Sequence, residues 1–122
     1  MSRLDERAVE RVSGPSWQAL KPAVLEIGET LLSADKGAKS NLTTIYVKFE
    51  RADGSVYAVM WIKKSTQAVT GLALPEGIEA ERLHDAPKGM TYPGLTRYFT
   101  VQEGDEVPDD LAEWARIAFA NT

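Results

Sequence analysis

Cysteine is absent from the 122-residue chain, and histidine occurs once, at His84. Without cysteine the protein cannot form disulfides, attack with a thiol or bind a metal through thiolates, which is typical of cytoplasmic proteins. Apolar runs stay well below the roughly 18 residues that a membrane-spanning helix needs. The charged first ten residues also lack the apolar stretch of a signal peptide. We therefore expect a cytoplasmic protein without a membrane partner.

The composition that remains is that of one soluble domain over residues 1–122. Hydrophobic residues make up 43% and charged residues 26% of the chain, enough apolar side chain for a single core. The net charge of −4 is unevenly spread, because residues 36–97 carry +3 and residues 98–122 carry −5. A basic middle permits an anionic partner, whereas the acidic whole disfavours nucleic acid as a partner but leaves it open.

A β-hairpin around Asp53-Gly54 is the clearest structural signal. This dipeptide favours a tight turn, and runs rich in β-branched and aromatic residues flank it at 43–51 and 56–64. Placing the turn there sets the register and creates one apolar face. The apolar pairs are Ile45 with Ile62, Val47 with Met60, and Phe49 with Ala58.

The other elements indicate an α+β domain. Apolar spacing predicts helices at 16–33 and 108–120 and further strands at 68–74 and 95–101, with a long loop at 75–94. We expect an antiparallel sheet of about four strands, a meander plus one strand, with the N-terminal and C-terminal helices packed on one face.

The chain ends divide this domain further. Residues 15–120 form the expected globular core. Residues 1–14 are expected to be a loosely attached arm or a short helix, because their apolar positions are few.

The second face of the hairpin is the best candidate for a ligand site. Tyr46 pairs across the strands with Trp61, Lys48 and Lys63 flank them, and Gly71 is expected to leave space over the indole. Aromatic rings beside lysines suit a flat or anionic ligand. The candidate ligand-binding residues are Tyr46, Lys48, Trp61, Lys63, Tyr98, His84 and Lys88. Three fates of this face stay open: cover by the long loop, an open binding face, or a homodimer interface.

Catalysis and metal binding have weaker signals. A single histidine has no partner for acid–base work, and no nucleophile-elbow pattern occurs, so a non-enzymatic protein without a cofactor is favoured. Carboxylates crowd residues 105–113 and would suit a hard cation. They equally suit the start of the C-terminal helix, where the helix dipole favours negative charge, so no metal ligand is assigned.

Four stretches carry a resemblance to a known family. They are the extended run Thr44–Phe49, the strand ends Trp61–Lys64 and Leu72–Pro75, and the terminal helix Leu111–Phe119. In this order they resemble a small bacterial family of unknown function, sometimes labelled "predicted transport protein". That family is distantly similar to frataxin-like domains, some of them proposed as iron chaperones.

Three functions follow as hypotheses. The first is a non-enzymatic module that binds a small organic or anionic ligand, or a partner segment, on the aromatic and basic face. The second is iron handling by the acidic C-terminal cluster, as the resemblance implies. The third is an accessory domain for single-stranded nucleic acid.

Overall fold

Six antiparallel strands form one sheet in the computed structural model, which describes residues 4–86, 92 and 94–122. The helices are α1 (Glu6–Arg11), α2 (Lys21–Leu32) and α3 (Leu111–Asn121), with a single 3₁₀ turn at Pro15–Trp17. The strands are β1 (Lys39–Thr43), β2 (Tyr46–Glu50), β3 (Val56–Lys64), β4 (Gln67–Leu72), β5 (His84–Asp85) and β6 (Arg97–Gln102). They lie in the order β1-β2-β3-β4-β6-β5. The α+β class is as expected, whereas the sheet has six strands rather than about four.

The first additional strand comes from a turn that the sequence does not announce. Residues 43–51 were expected to form one strand, but the chain reverses at Thr44-Ile45 and Thr43 pairs with Tyr46. Thr44 has a φ of +46°, a conformation that β-branched residues rarely adopt. Strand β1 lies before this turn and overlaps residues 35–41, whose polar composition is typical of a loop.

The hairpin of β2 and β3 has the predicted register over most of its length. Phe49 pairs with Ala58 and Val47 with Met60, as the Asp53-Gly54 turn requires. The register departs from the prediction next to the turn, where a bulge places Glu50 opposite Val56. The extra residue, Tyr57, is fully buried, and its hydroxyl donates to the Leu31 carbonyl at 2.6 Å. The bulge therefore joins the sheet to α2.

Strand β4 shows the predicted faces at a shifted position. Leu72 is buried in the core and pairs with Ala58, two residues further from the β3–β4 turn than a regular three-residue turn at 65–67 would place it. The shift follows from the tight turn, where Gln67 pairs with Lys64 and β3 is irregular between Trp61 and Lys64. From Ala58 to Trp61 the displacement is an even number of residues and the side chains keep their faces, whereas the one-residue shift after Trp61 interrupts the alternation.

Helices α2 and α3 cover one face of the sheet. Pro22 lies in the first turn of α2, where its missing N–H costs nothing. The predicted apolar stripe of α3 is buried, and it packs against β3 and β4 as well as against α2. Its members are Leu111, Trp114, Ala115 and Ala118. Arg51 extends from the end of β2 to α3, where it donates to the Phe119 carbonyl at 2.6 Å.

The N-terminal residues include the short helix α1 and contact the core. Leu4, Ala8 and Val12 are all buried. Asp5 caps the helix by accepting from the backbone N–H of Arg7, and it also accepts from the N–H of Leu42 in β1. The N-terminal segment from Leu4 to Val12 is therefore packed against the core rather than loosely attached. Within the described residues, no helix combines the length and apolarity needed to cross a bilayer.

Candidate functional site

The face of the sheet opposite the helices displays two parallel rows of side chains. Each row follows the register from strand to strand, so its members are neighbours. The first row consists of Asn41, Lys48, Val59, Gly71, Tyr98 and His84. The second row consists of Thr43, Tyr46, Trp61, Val69 and Thr100. All five side chains of the second row are half-buried, so this row borders solvent along its length.

Leu95 covers the middle of the first row. A Cβ added to Gly71 would lie only 2.8 Å from Leu95 Cδ1 and 3.2 Å from an atom of the Trp61 ring. The expected space over the indole is therefore filled, and Gly71 is needed because Leu95 approaches so closely. Leu95 forms a second small core with Val59 and Ala73.

Three aromatic side chains form a cluster beside this cover. The ring centroids of Tyr46 and Trp61 are 6.2 Å apart with their planes tilted by 43°. The ring of Tyr92 meets Tyr46 edge-on, also at 6.2 Å. We call Tyr46, Trp61 and Tyr92 the ring cluster. All three are half-buried against Val59, Ala73 and Leu95, so one side of the cluster is packed and the other is accessible.

The polar atoms of the ring cluster have no partners among the described residues. Neither the indole N–H of Trp61 nor the hydroxyl of Tyr46 forms a hydrogen bond there, and neither is a buried unpaired atom. Other large side chains differ, because the Tyr57 hydroxyl and the Arg51 and Arg97 guanidinium groups bond to backbone carbonyls. The ring cluster thus keeps donors available for a ligand.

Two lysines lie beside the ring cluster. Lys48 is half-buried and occupies the first row, two residues beyond Tyr46 on β2. Lys63 is exposed and lies two residues beyond Trp61, at the end of β3 where the register with β4 is irregular. Within the described part of the chain, neither lysine forms an ion pair. We call the ring cluster together with Lys48 and Lys63 the aromatic–basic face.

The remaining candidates lie elsewhere. Tyr98 and His84 contact each other, with ring centroids 5.4 Å apart, at the opposite end of the first row. His84 is four strands from Lys48, or about 19 Å across the sheet, and Leu95 stands between them. Lys88 lies outside the described residues. The structure therefore brings together Tyr46, Lys48, Trp61 and Lys63 and separates His84 and Tyr98 from them.

Sequence reasoning did not identify Tyr92 or Leu95. Both belong to or follow the long loop, whose path depends on tertiary contacts. One signal was available, because a glycine within a strand marks a close approach of another group. Gly71 was interpreted as leaving open space, whereas the side chain of Leu95 packs directly over it.

Three of the acidic C-terminal residues lie together at one groove. They line an open groove of about 460 Å³ between α2 and the turn after β6, where Glu26, Asp105, Glu106 and Asp109 contribute carboxylates. Across residues 4–86, 92 and 94–122, no three histidine, cysteine, aspartate or glutamate side chains could jointly hold a metal ion. The groove therefore provides charge without a coordination sphere.

Known proteins do not extend this description. No protein-family model, curated protein or solved structure matches the chain.

Proposed function

We propose that the protein is a non-enzymatic binding module that takes a planar, negatively charged ligand on the aromatic–basic face. The observation that carries this proposal is a set of half-buried rings with unpartnered donors beside two lysines without ion pairs. The absence of cysteine also supports a cytoplasmic location.

The chemistry of these groups favours a ring and a charge together. Stacking of a flat ring on an aromatic side chain contributes about 1–3 kcal/mol, whichever ring is involved. A lysine that lacks an internal carboxylate partner gains more from an incoming anion than one already paired. The packed side of the ring cluster holds its orientation, so a ligand would not have to order the rings on binding.

Metal handling has less support than ligand binding. The acidic groove lacks a set of three ligands among the described residues, and all four of its carboxylate side chains belong to exposed residues. Such charges are well solvated and complement the start of α3 without a metal.

The test is a binding screen with flat anions of different size. We would titrate adenosine 5′-monophosphate, flavin mononucleotide and anilinonaphthalene sulfonate, following the thermal midpoint and protein chemical shifts. We expect at least one probe to raise the midpoint, because a ligand that binds the native state stabilises it. The largest shifts should fall on Tyr46, Lys48 and Trp61. If no probe changed the chemical shifts of these three residues, the proposal would be wrong.

Variants separate binding from folding. Lys63→Ala should change the free energy of unfolding by no more than about 0.5 kcal/mol, since the side chain is exposed, and should weaken the probe severalfold. Trp61→Leu should abolish binding, and Trp17→Phe is the matched control because Trp17 is also half-buried but contacts Arg11 instead. Equal binding by the Trp61→Leu variant would place the site elsewhere.

A further inference from the structure

The two lysines of the aromatic–basic face lie on opposite sides of the ring pair. Tyr46 and Trp61 are directly opposed on antiparallel strands. Lys48 follows Tyr46 by two residues on β2, and the exposed lysines Lys63 and Lys64 follow Trp61 at the irregular end of β3, where Lys64 pairs with Gln67. Because the strands run in opposite directions, the lysines extend from the ring pair in opposite directions. At about 3.4 Å per residue, roughly 14 Å of strand separates them, with the rings in between.

These lysine positions favour a ligand that carries negative charge on both sides of its stacked ring. A mononucleotide has its phosphate on one side of the base and satisfies one lysine. A nucleic acid strand has a phosphate on each side of every base and satisfies both. Sheet faces with aromatic side chains on adjacent strands are a recurrent platform for stacking unpaired bases.

We infer that the ligand of the aromatic–basic face is a single strand of nucleic acid, whose backbone runs along β2 and β3 and whose bases stack on Tyr46 and Trp61. This inference rests on the proposed function and specifies its ligand. A duplex is a poor fit, because its bases are already stacked and the overall charge of −4 opposes binding through phosphates alone.

The surroundings of the two lysines favour the same ligand. Glu50 is the carboxylate nearest in register to Lys48 on this face, and Lys39 of β1 lies directly opposite it. An opposite charge across the strands offsets this carboxylate. The exposed end of β3 adds Lys64 next to Lys63. The basic part of the sheet therefore surrounds the rings, while the acidic groove lies between α2 and the turn after β6.

The experiment compares strands that differ in one property. Fluorescence anisotropy of labelled dodecathymidylate would be measured with the full chain at 50 and 200 mM salt. The comparison ligands are thymidine 5′-monophosphate, an abasic phosphodiester of equal length, and a 12-base-pair duplex. We expect the strand to bind at least tenfold more tightly than each of the three, because only the strand supplies both unpaired bases and flanking phosphates.

Lysine variants test the placement of the backbone. Lys48→Ala and Lys63→Ala should each weaken the strand severalfold and reduce the dependence of log K on log salt by about one. Lys21→Ala is the matched control, because Lys21 starts α2 outside the aromatic–basic face, and should leave binding unchanged.

The outcomes separate this inference from the proposed function. If thymidine monophosphate binds as tightly as the strand, the nucleic acid inference is wrong and the proposal of a planar anion survives. If the abasic strand binds equally well, or if Lys21→Ala matters as much as Lys48→Ala, binding is electrostatic and non-specific and the inference again fails. If neither the strand nor any flat anion binds, both proposals fall.

Discussion

Asp5 shows how much one side chain contributes where a helix begins beside a sheet edge. Its carboxylate accepts from the Arg7 side chain at 2.8 Å and from the backbone N–H groups of Leu42 and Arg7 at 2.8 and 2.9 Å. The side-chain hydrogen bond from Arg7 above all, with the two backbone bonds, lowers the pKa of Asp5 to about 2 against the opposing effect of burial. The carboxylate thereby accepts a hydrogen bond from an N–H at the outer edge of β1, which no neighbouring strand pairs there.

The lowered pKa makes a prediction about acid stability. A carboxyl group whose pKa is lower in the folded state stabilises the protein above its unfolded value, near 3.9, and loses this contribution as pH falls towards 2. Asp5→Asn should therefore cost about 1 kcal/mol of unfolding free energy at pH 7, less than the full pKa shift implies, because Arg7 is exposed and solvent screens the ion pair. The difference from the parent should shrink between pH 4 and pH 2. Urea unfolding across this range measures it.

The control is Asp109→Asn, which changes an exposed carboxylate near α3. It should alter stability by less than about 0.5 kcal/mol. A constant difference between Asp5→Asn and the parent from pH 7 to pH 2 would show that the carboxylate charge has no stabilising role.

Helix α2 is fitted to the N-terminal segment at a single glycine. A Cβ added to Gly28 would lie 2.9 Å from Leu4 Cδ1 and 3.0 Å from Leu4 Cδ2. Leu4 itself is only 3% exposed. An interior glycine costs a helix about 1 kcal/mol relative to alanine, so this close contact explains why a glycine stands in the middle of α2.

A double-mutant cycle tests this contact between elements. Gly28→Ala alone should give little or no gain, because the helix preference is offset by the displacement of Leu4. In a Leu4→Ala background, the same substitution should stabilise the protein by about 0.5–1 kcal/mol. Chemical denaturation of the four proteins gives the coupling energy. A gain of about 1 kcal/mol in both backgrounds would mean that the N-terminal segment does not contact α2.

Local pattern predicted the elements that local interactions determine. The Asp53-Gly54 turn fixed the register of β2 with β3, and the apolar spacing of α3 identified its buried side. The features that were missed depend on the rest of the molecule. Thr44 turns although it belongs to a β-prone run, Tyr57 bulges to contact α2, and Leu95 crosses over Gly71. For Tyr57 and Leu95 a tertiary contact outweighs the local preference.

The residues of the candidate site were also predictable where local strand pairing places them and not where tertiary contacts do. Tyr46, Lys48 and Trp61 follow from the register of one hairpin, so the sequence was sufficient for them. Tyr92 enters from a long loop, and its position depends on packing against Leu95 and Tyr46. His84 was grouped with the site because it belongs to the long loop at 75–94, although strand order places it at the far edge of the sheet.

At the scale of the whole molecule, the two faces of the sheet differ in how much apolar side chain they bury. The helix side contains most of the buried residues in one cluster, whereas the opposite side has three buried residues beneath the ring cluster. Stability therefore depends mainly on the helix side. We therefore expect substitutions on the aromatic–basic face to have little effect on folding, as the proposed binding role requires.

This division predicts that the protein cannot fold without its last helix. Deletion of residues 108–122 removes four buried side chains of α3 and leaves Phe99 without its contact to Trp114, whose ring centroid lies 5.9 Å away. Arg51 also loses the carbonyls of Phe119 and Thr122. A buried tryptophan or leucine contributes about 3 kcal/mol or more, so the loss exceeds the 5–15 kcal/mol margin of a typical domain once the other contacts are added. Calorimetry should show no cooperative transition for the truncated chain, while the exposed variant Glu113→Ala should melt within a few degrees of the parent. A sharp transition in the truncated chain would mean that the sheet, α1 and α2 form a sufficient core.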